Sequence, residues 1–280
     1  MTPVISVAAR GDAIVGRRQG EETMKVSWYG TATVSLDCGA TKLLFDPFQR
    51  KNKKLPPLEP ARFKGHTALL LTHGHFDHLS GVPAVLRENP AMPVYCTKTP
   101  AAMLEKKGVP RENLRLIAPG DRFHAGDVEV KVHAGRHISF NPGYILSVLP
   151  KCAVRFPQTF YLLHLIRVLP ENGEIVAFEL TAEGKTVFLM GSFGVDGSVE
   201  YPKHPSLFVF PFSGNSLIAR AALPFLERLR PKNILFDHFD DSFPPLTPRM
   251  DVEAFCRQLA ASHPDVGLII PTEGEEYDVP

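Results

Sequence analysis

"HTALLLTHGHFDHLSG", residues 66–81, runs from a continuous apolar stretch straight into three histidines and one aspartate held within six positions. The apolar part is short and unbroken, the pattern of a strand covered on both faces, and "LSGVPAVLRENP" behind it reads as a helix. The polar cluster therefore sits where a buried strand ends and a helix begins. Alternating folds place their sites at such strand ends, so this stretch bears on both fold and chemistry.

Working outward, "KVSWYG", "TATVSLDCG" and "TKLLFDPF" form a meander with turns at Gly30 and at Gly39 to Ala40. Downstream, "MPVYCT" is a strand, "TPAAMLEKKG" a helix and "ENLRLIA" a strand. In "DVEVKVHA", Val128, Val130 and Val132 share one face, and Glu129, Lys131 and His133 the other. The β pattern returns in "GEIVAFELTAEGKTVFLMG", a hairpin turning at Glu183 to Gly184, and in "SLFVFPF". Two helices, "SLIARAALPFLERLRP" and "MDVEAFCRQLAASHP", flank the last strands "KNILFDH" and "VGLIIP"; Pro224 is expected to kink or break the first of them. Two β-rich halves, each passing into strand and helix alternation, predict two sheets with helices on their outer faces. No linker divides the chain: residues 1–23 read as a tail, with Met24 an alternative start, and 24–280 as one domain.

Composition narrows the function. The 280 residues are 44% hydrophobic, enough for a sizeable core, and 31 lysines and arginines nearly balance 30 acidic residues. Nothing in that charge favours a nucleic acid partner. Cys38, Cys96, Cys152 and Cys256 are scattered and form neither a paired metal motif nor a disulfide framework, so they read as reduced, mostly buried thiols. Residues 1–23 lack the apolar core of a secretory signal, which makes the cytoplasm the expected location. The most apolar segment, Tyr144 to Pro170, is interrupted by Pro150, Lys151, Arg155, Pro157 and Arg167 and is a poor membrane span.

His73 and His75, two apart in an extended turn, can aim at one point, and imidazole nitrogens at about 2.0–2.1 Å suit zinc. Asp77 and His78 are adjacent and more naturally serve a second point. The expected cofactor is one or two zinc ions, with manganese or iron as alternatives. No phosphate-binding loop, dinucleotide fingerprint or nucleophile elbow competes with this reading.

"THGHFDH" resembles the signature of the metallo-β-lactamase fold of metal-dependent hydrolases, and the order of matching elements extends from Val26 to the C-terminus. The resemblance implies a four-layer αββα sandwich, with two mixed β-sheets inside and helices outside. It implies that Asp46 in "LLFDPF" orients the ligand turn, that His137 in "HAGRHIS" rather than His133 is the third histidine, and that His238 in "NILFDHFDD" completes the second group. One element departs. The family's bridging aspartate, in a "GD" pair after a hairpin strand, is replaced by Ser192 in "GS". The outcomes left open are a weakly held second metal, a single-metal enzyme using His73, His75 and His137, or rescue by Asp196, Asp240 or Asp241.

The implied chemistry is hydrolysis by a metal-activated water, with Asp77 orienting it or receiving its proton. Ester, lactone, amide and phosphodiester substrates all fit, and the chain looks most similar to the branch of lactonase-like and N-acyl phosphatidylethanolamine phospholipase-like enzymes. The apolar segment at about 144–170 follows His137 directly; Phe160, Leu162 and Leu165 there are candidates for contact with a small-molecule or lipid-like substrate, or for a homo-oligomer interface. The basic run "QRKNKKLPP" reads as a solvated loop, or as a mouth that meets an anionic substrate. A nuclease of the same fold and a catalytically impaired metal sensor, the latter motivated by Ser192, are the alternatives.

Overall fold

In the computed structural model, the chain is described at residues 24–50, 52–137, 175–212, 218–240 and 250–280, and at positions 146, 150, 159 and 160. The expected tail at 1–23, most of the apolar segment including Leu162 and Leu165, and Asp241 lie outside the described residues. The first sheet holds β1 (Lys25–Trp28), β2 (Val34–Cys38), β3 (Thr41–Phe45), β4 (Ala68–Leu70), β5 (Val94–Cys96), β6 (Leu114–Leu116) and, from the far end of the chain, β14 (Glu276–Asp278). The second holds β7 (Arg122–Ala125), β8 (Val128–Gly135), β9 (Ile175–Ala182), β10 (Lys185–Met190), β11 (Leu207–Pro211), β12 (Asn233–Asp237) and β13 (Gly267–Ile269).

Their orders are β14-β1-β2-β3-β4-β5-β6 and β13-β12-β11-β10-β9-β8-β7. Each sheet changes character midway. β14 through β3 pair antiparallel and β3 through β6 parallel; β7 through β10 pair antiparallel and β10 through β13 parallel. Tight turns join β2 to β3, β7 to β8 and β9 to β10; in the last, Glu183 and Gly184 both take positive φ (54° and 71°) as a type I′ turn requires. The parallel halves need crossovers, and these carry the helices.

Helices α1 (Phe76–Leu79), α2 (Val82–Glu88) and α3 (Lys98–Lys106) belong to the first half, and α4 (Ile218–Leu229) and α5 (Val252–Ser262) to the second. Leu44 and Leu69 of the first sheet, and Leu71 just beyond β4, pack against Val82, Val85 and Leu104 in one apolar cluster. Val128, Val130 and Val132 instead point into the larger core, with Phe45 and Phe178. On the second sheet Phe208 meets Phe225 of α4 and Phe236 meets Phe255 of α5. The result is the αββα sandwich the sequence predicts.

Of the kink or break expected at Pro224 there is no break: α4 runs through it as one helix; the residue is exposed, so the backbone acceptor that loses its N–H partner can turn to water. Two features differ from the sequence reading. The C-terminal strand β14 was not anticipated, and it returns to the first sheet, where Lys25 pairs Asp278. Arg50 of the basic run is buried rather than solvated: its guanidinium makes a two-pronged ion pair with Glu273, at 2.9 and 2.5 Å.

Candidate metal centre

The ligand turn begins as β4 ends. Thr72 donates its backbone N–H to Asp46 Oδ1 at 2.9 Å and its hydroxyl to Oδ2 at 2.6 Å, while its own carbonyl accepts the N–H of Val176 in the second sheet at 2.9 Å. The turn is thus fixed to both sheets before its histidines begin. The neighbouring loop presses close as well. A Cβ on Gly191 would stand 1.9 Å from Thr72 Oγ1, so only glycine fits there. α1 is a single turn, and it carries Asp77 and His78 away from the direction taken by His73 and His75.

Two groups of side chains result. His73, His75 and His137 form one, and Asp77, His78 and His238 the other, with the ligand atoms of each group within 4.8 Å of one another. His73 Nε2 lies 3.1 Å from His75 Nδ1, and His78 Nε2 lies 3.3 Å from His238 Nε2. Donors bound tetrahedrally at about 2.0–2.1 Å from one ion stand about 3.3–3.4 Å apart, so both pairs have the spacing a shared divalent cation needs. Strand β8 ends at Gly135, which leaves His137 beyond it, steadied by the Arg136 N–H to Gly194 carbonyl bond at 3.1 Å. His133 stays within the strand and donates to Glu179 at 2.6 Å.

Behind the second group stand two carboxyls. Asp46 Oδ2 lies 3.0 Å from His78 Nδ1, which directs Nε2 of that ring at the site. Asp237 Oδ2 lies 3.2 Å from His238 Nδ1, without the alignment of a hydrogen bond, and its Oδ1 is buried with no hydrogen-bond partner. Among the described residues, the only ion-pair partners of Asp46, Asp77 and Asp237 are histidines. Three acids with no lysine or arginine partner among the described residues make a site whose charge a bound cation would complete.

The protonation states agree with that chemistry at His73, His78 and Asp77, whereas His238 must give up a proton before it can ligate. Burial pushes His73 and His78 well below the ordinary histidine value, leaving their rings neutral and able to ligate. Burial also opposes the charge on Asp77, but His78, His75 and His238 outweigh it and hold the carboxyl below its usual range. Burial raises Asp46 to about 7 against the bonds from Thr72, and raises Asp237. At His238, burial is overcome by Asp237, with Asp77 and Asp240 adding, and the ring is pushed up to about 9.

The His238 loop is tied down from the opposite end of the chain. Its N–H donates to Thr31 O at 2.9 Å, and Asp240 accepts both the N–H and the hydroxyl of Thr31 at 3.1–3.3 Å. Trp28 donates to the same Thr31 carbonyl and stacks on Phe239 at 4.9 Å. Thr31, Asp46 and His238 all take positive φ (48°, 46° and 58°), a conformation that non-glycine residues adopt when their surroundings enforce it.

Among the described residues, neither group contains Asp196 or Asp240. Asp196 accepts the N–H and hydroxyl of Ser198 and pairs with Arg136 at 2.8 Å, and Asp240 is committed to Thr31. Ser192 is buried two positions after the end of β10. Phe160 is 67% exposed. Sequence reading did not assign roles to Thr72, Thr31 or Asp237. The signal for Asp237 was available, since it directly precedes His238 at the end of a buried strand.

Residues 33–211 match the family model described as the beta-lactamase superfamily domain. The chain belongs to this superfamily, the metallo-β-lactamase fold proteins. It is 28% identical over 267 residues to a UPF0173 metal-dependent hydrolase of Methylobacterium nodulans, covering 92% of this chain and 100% of the relative. The metallo hydrolase Igni18 of Ignicoccus hospitalis superposes with a TM-score of 0.64 at 17% identity, over 91% of this chain and 99% of that one. The metallo-beta-lactamase fold protein YhfI of Bacillus subtilis does so with 0.61 at 15%, over 92% and 100%. These two likenesses speak to the fold.

Proposed function

We propose that the chain is a metal-dependent hydrolase, with zinc as its ion, held by His73, His75 and His137 on one side and by Asp77, His78 and His238 on the other. The observation that carries this reading is the pair of three-residue donor groups, spaced as ligands of a divalent cation. The family membership and the metal-dependent hydrolase of Methylobacterium nodulans support it.

A bound divalent ion lowers the pKa of water towards about 7 and polarises the oxygen of the group under attack. Around it, Asp77, held ionised, orients the attacking water or takes its proton with whichever carboxylate oxygen is not a ligand. Thr72 and Asp46 lock the ligand turn, Asp46 fixes the tautomer of His78, and the Thr31 tether sets the place of His238. The substrate class is an ester, lactone, amide or phosphodiester. Exposure of Leu146 (66%) and Phe160 (67%), which follow His137 in the sequence, supports an acyl or lipid-like substrate, or contact with a second copy of the chain. Among the described residues no helix is long and apolar enough to cross a membrane; a cytoplasmic enzyme is the reading we favour.

The test is a metal titration of metal-free protein with zinc, manganese and iron, run beside hydrolysis of generic esters, lactones and phosphodiesters. Metal-dependent turnover that disappears in Asp77→Asn is the expected result. Tight metal binding without turnover on any substrate would favour the impaired sensor that Ser192 suggests, and absence of metal binding would overturn both readings.

A further inference from the structure

The missing bridging carboxylate at Ser192 argues, from sequence alone, that the Asp77, His78 and His238 group is the weaker metal site. The charges around the two groups argue the reverse. Three neutral imidazoles leave both positive charges of a divalent ion unanswered by the ligands of the first group. In the second group Asp77 answers one of them directly. Two further carboxylates then stand immediately behind its histidines: Asp46 Oδ2 at 3.0 Å from His78 Nδ1 and Asp237 Oδ2 at 3.2 Å from His238 Nδ1. His73, the most buried ligand of the first group, is backed at Nδ1 by the uncharged hydroxyl of Thr72 at 3.0 Å.

Asp237 is the informative residue. It is 2% exposed, one of its oxygens has no hydrogen-bond partner, and its only ion-pair partner among the described residues is His238. A buried carboxylate so placed is costly unless a cation lies close by; without metal the His238 ring fills that role, and when the ring ligates through Nε2 the cation is the ion on its far side. Carboxylates behind ligating histidines raise ligand basicity, and removing one typically lowers metal affinity about 10–100-fold.

We propose that Asp77, His78 and His238 form the tighter of the two metal sites in this chain, with Asp46 and Asp237 supplying from behind the histidines the negative charge that Ser192 does not bring. The proposal rests on the metal-dependent hydrolase reading and concerns which group fills first. A single bound ion would then sit beside Asp77, the residue placed to handle the proton of the attacking water.

The test is stoichiometric titration of metal-free protein with cobalt(II), read by its visible absorption, and with zinc against a chromophoric chelator. The samples are the wild type, His75→Ala, His238→Ala and Asp237→Asn, each checked for folding by circular dichroism. His75→Ala is expected to keep the first equivalent at wild-type affinity with an unchanged cobalt spectrum. His238→Ala should weaken that equivalent at least a hundredfold, and Asp237→Asn about tenfold or more. Should His238→Ala fail to fold, the other two variants still decide. Loss of the first equivalent in His75→Ala, or an unchanged first equivalent in Asp237→Asn, would overturn the proposal while leaving the hydrolase reading intact. A wild type that binds no metal would overturn both.

Discussion

The hydroxyl of Thr72 donates to Asp46 Oδ2 at 2.6 Å, from a position that is also 3.0 Å from His73 Nδ1 and 3.3 Å from His78 Nδ1. One side chain thereby contacts a histidine of each donor group and the carboxyl that orients one of them. Thr72→Val keeps the shape but leaves Asp46 short of a buried donor. The expected loss is about 1–3 kcal/mol of stability, measured by denaturant unfolding. Metal affinity should fall with it, and a variant as stable as the wild type would show that the hydroxyl is not needed to hold the turn.

Asp240 tests the tether at the other end of the site. Asp240→Ala leaves the buried Thr31 N–H without its acceptor and removes the carboxylate 3.9 Å from Arg50. The expected cost is about 3 kcal/mol. Because His238 hangs from the Thr31 carbonyl, release of metal from the second group should quicken more than release from the first. Stopped-flow chelation separates the two; equal acceleration of both phases would mean that Asp240 acts on the fold as a whole.

On the outer face of the second sheet, the hydrogen bond from His133 holds the Glu179 carboxyl below its ordinary value of 4.5; burial opposes this, and Lys131 at 3.4 Å adds to it. A carboxyl lowered in the folded state contributes stability that is fully present above its unfolded value and is lost as pH falls through the folded value. Glu179→Gln should therefore be less stable than the wild type at neutral pH, with the gap closing as pH falls below 4.5. Urea unfolding at a series of pH values reads this difference, and a gap that does not change with pH would assign the loss to packing alone.

Much of this architecture was legible because its signals are local. The run "ALLLT" and the valines of "DVEVKVHA" show the burial of their strands directly, and the ligand turn packs four donors into six residues. What escaped depends on partners far apart in sequence. β14 is only three residues long and is a strand because β1 offers it an edge some 250 positions away, with Lys25 and Glu276 joined at 2.8 Å. Arg50 lies in a basic run that reads as solvated, and the return of Glu273, with Asp240 at 3.9 Å, makes its burial tolerable. Asp237 was passed over although it directly precedes His238, because only the fold shows its carboxylate 3.2 Å from that ring's Nδ1. Pro224 left a kink and a break both open for a related reason: whether a proline interrupts a helix depends on whether the freed carbonyl can find water, which burial decides and sequence does not.

Ser192 offers the sharpest test of how charge is arranged here. It is buried at 6%, and it follows Gly191, whose Cα abuts Thr72 at the root of the ligand turn. Ser192→Asp places a carboxylate where other members of the superfamily carry one. Without metal, the added buried acid should lower stability by about 1–3 kcal/mol. With zinc the sign reverses, since a carboxylate between two divalent ions relieves their repulsion. The weaker zinc equivalent should tighten tenfold or more, and the zinc-induced rise in Tm should exceed that of the wild type. Isothermal titration and thermal melting with and without zinc measure the two effects. If the variant lost stability yet gained neither affinity nor a larger zinc response, the side chain at 192 would not reach the ions, and the carboxylates behind His78 and His238 would have to account for all of the site's compensating charge beyond Asp77.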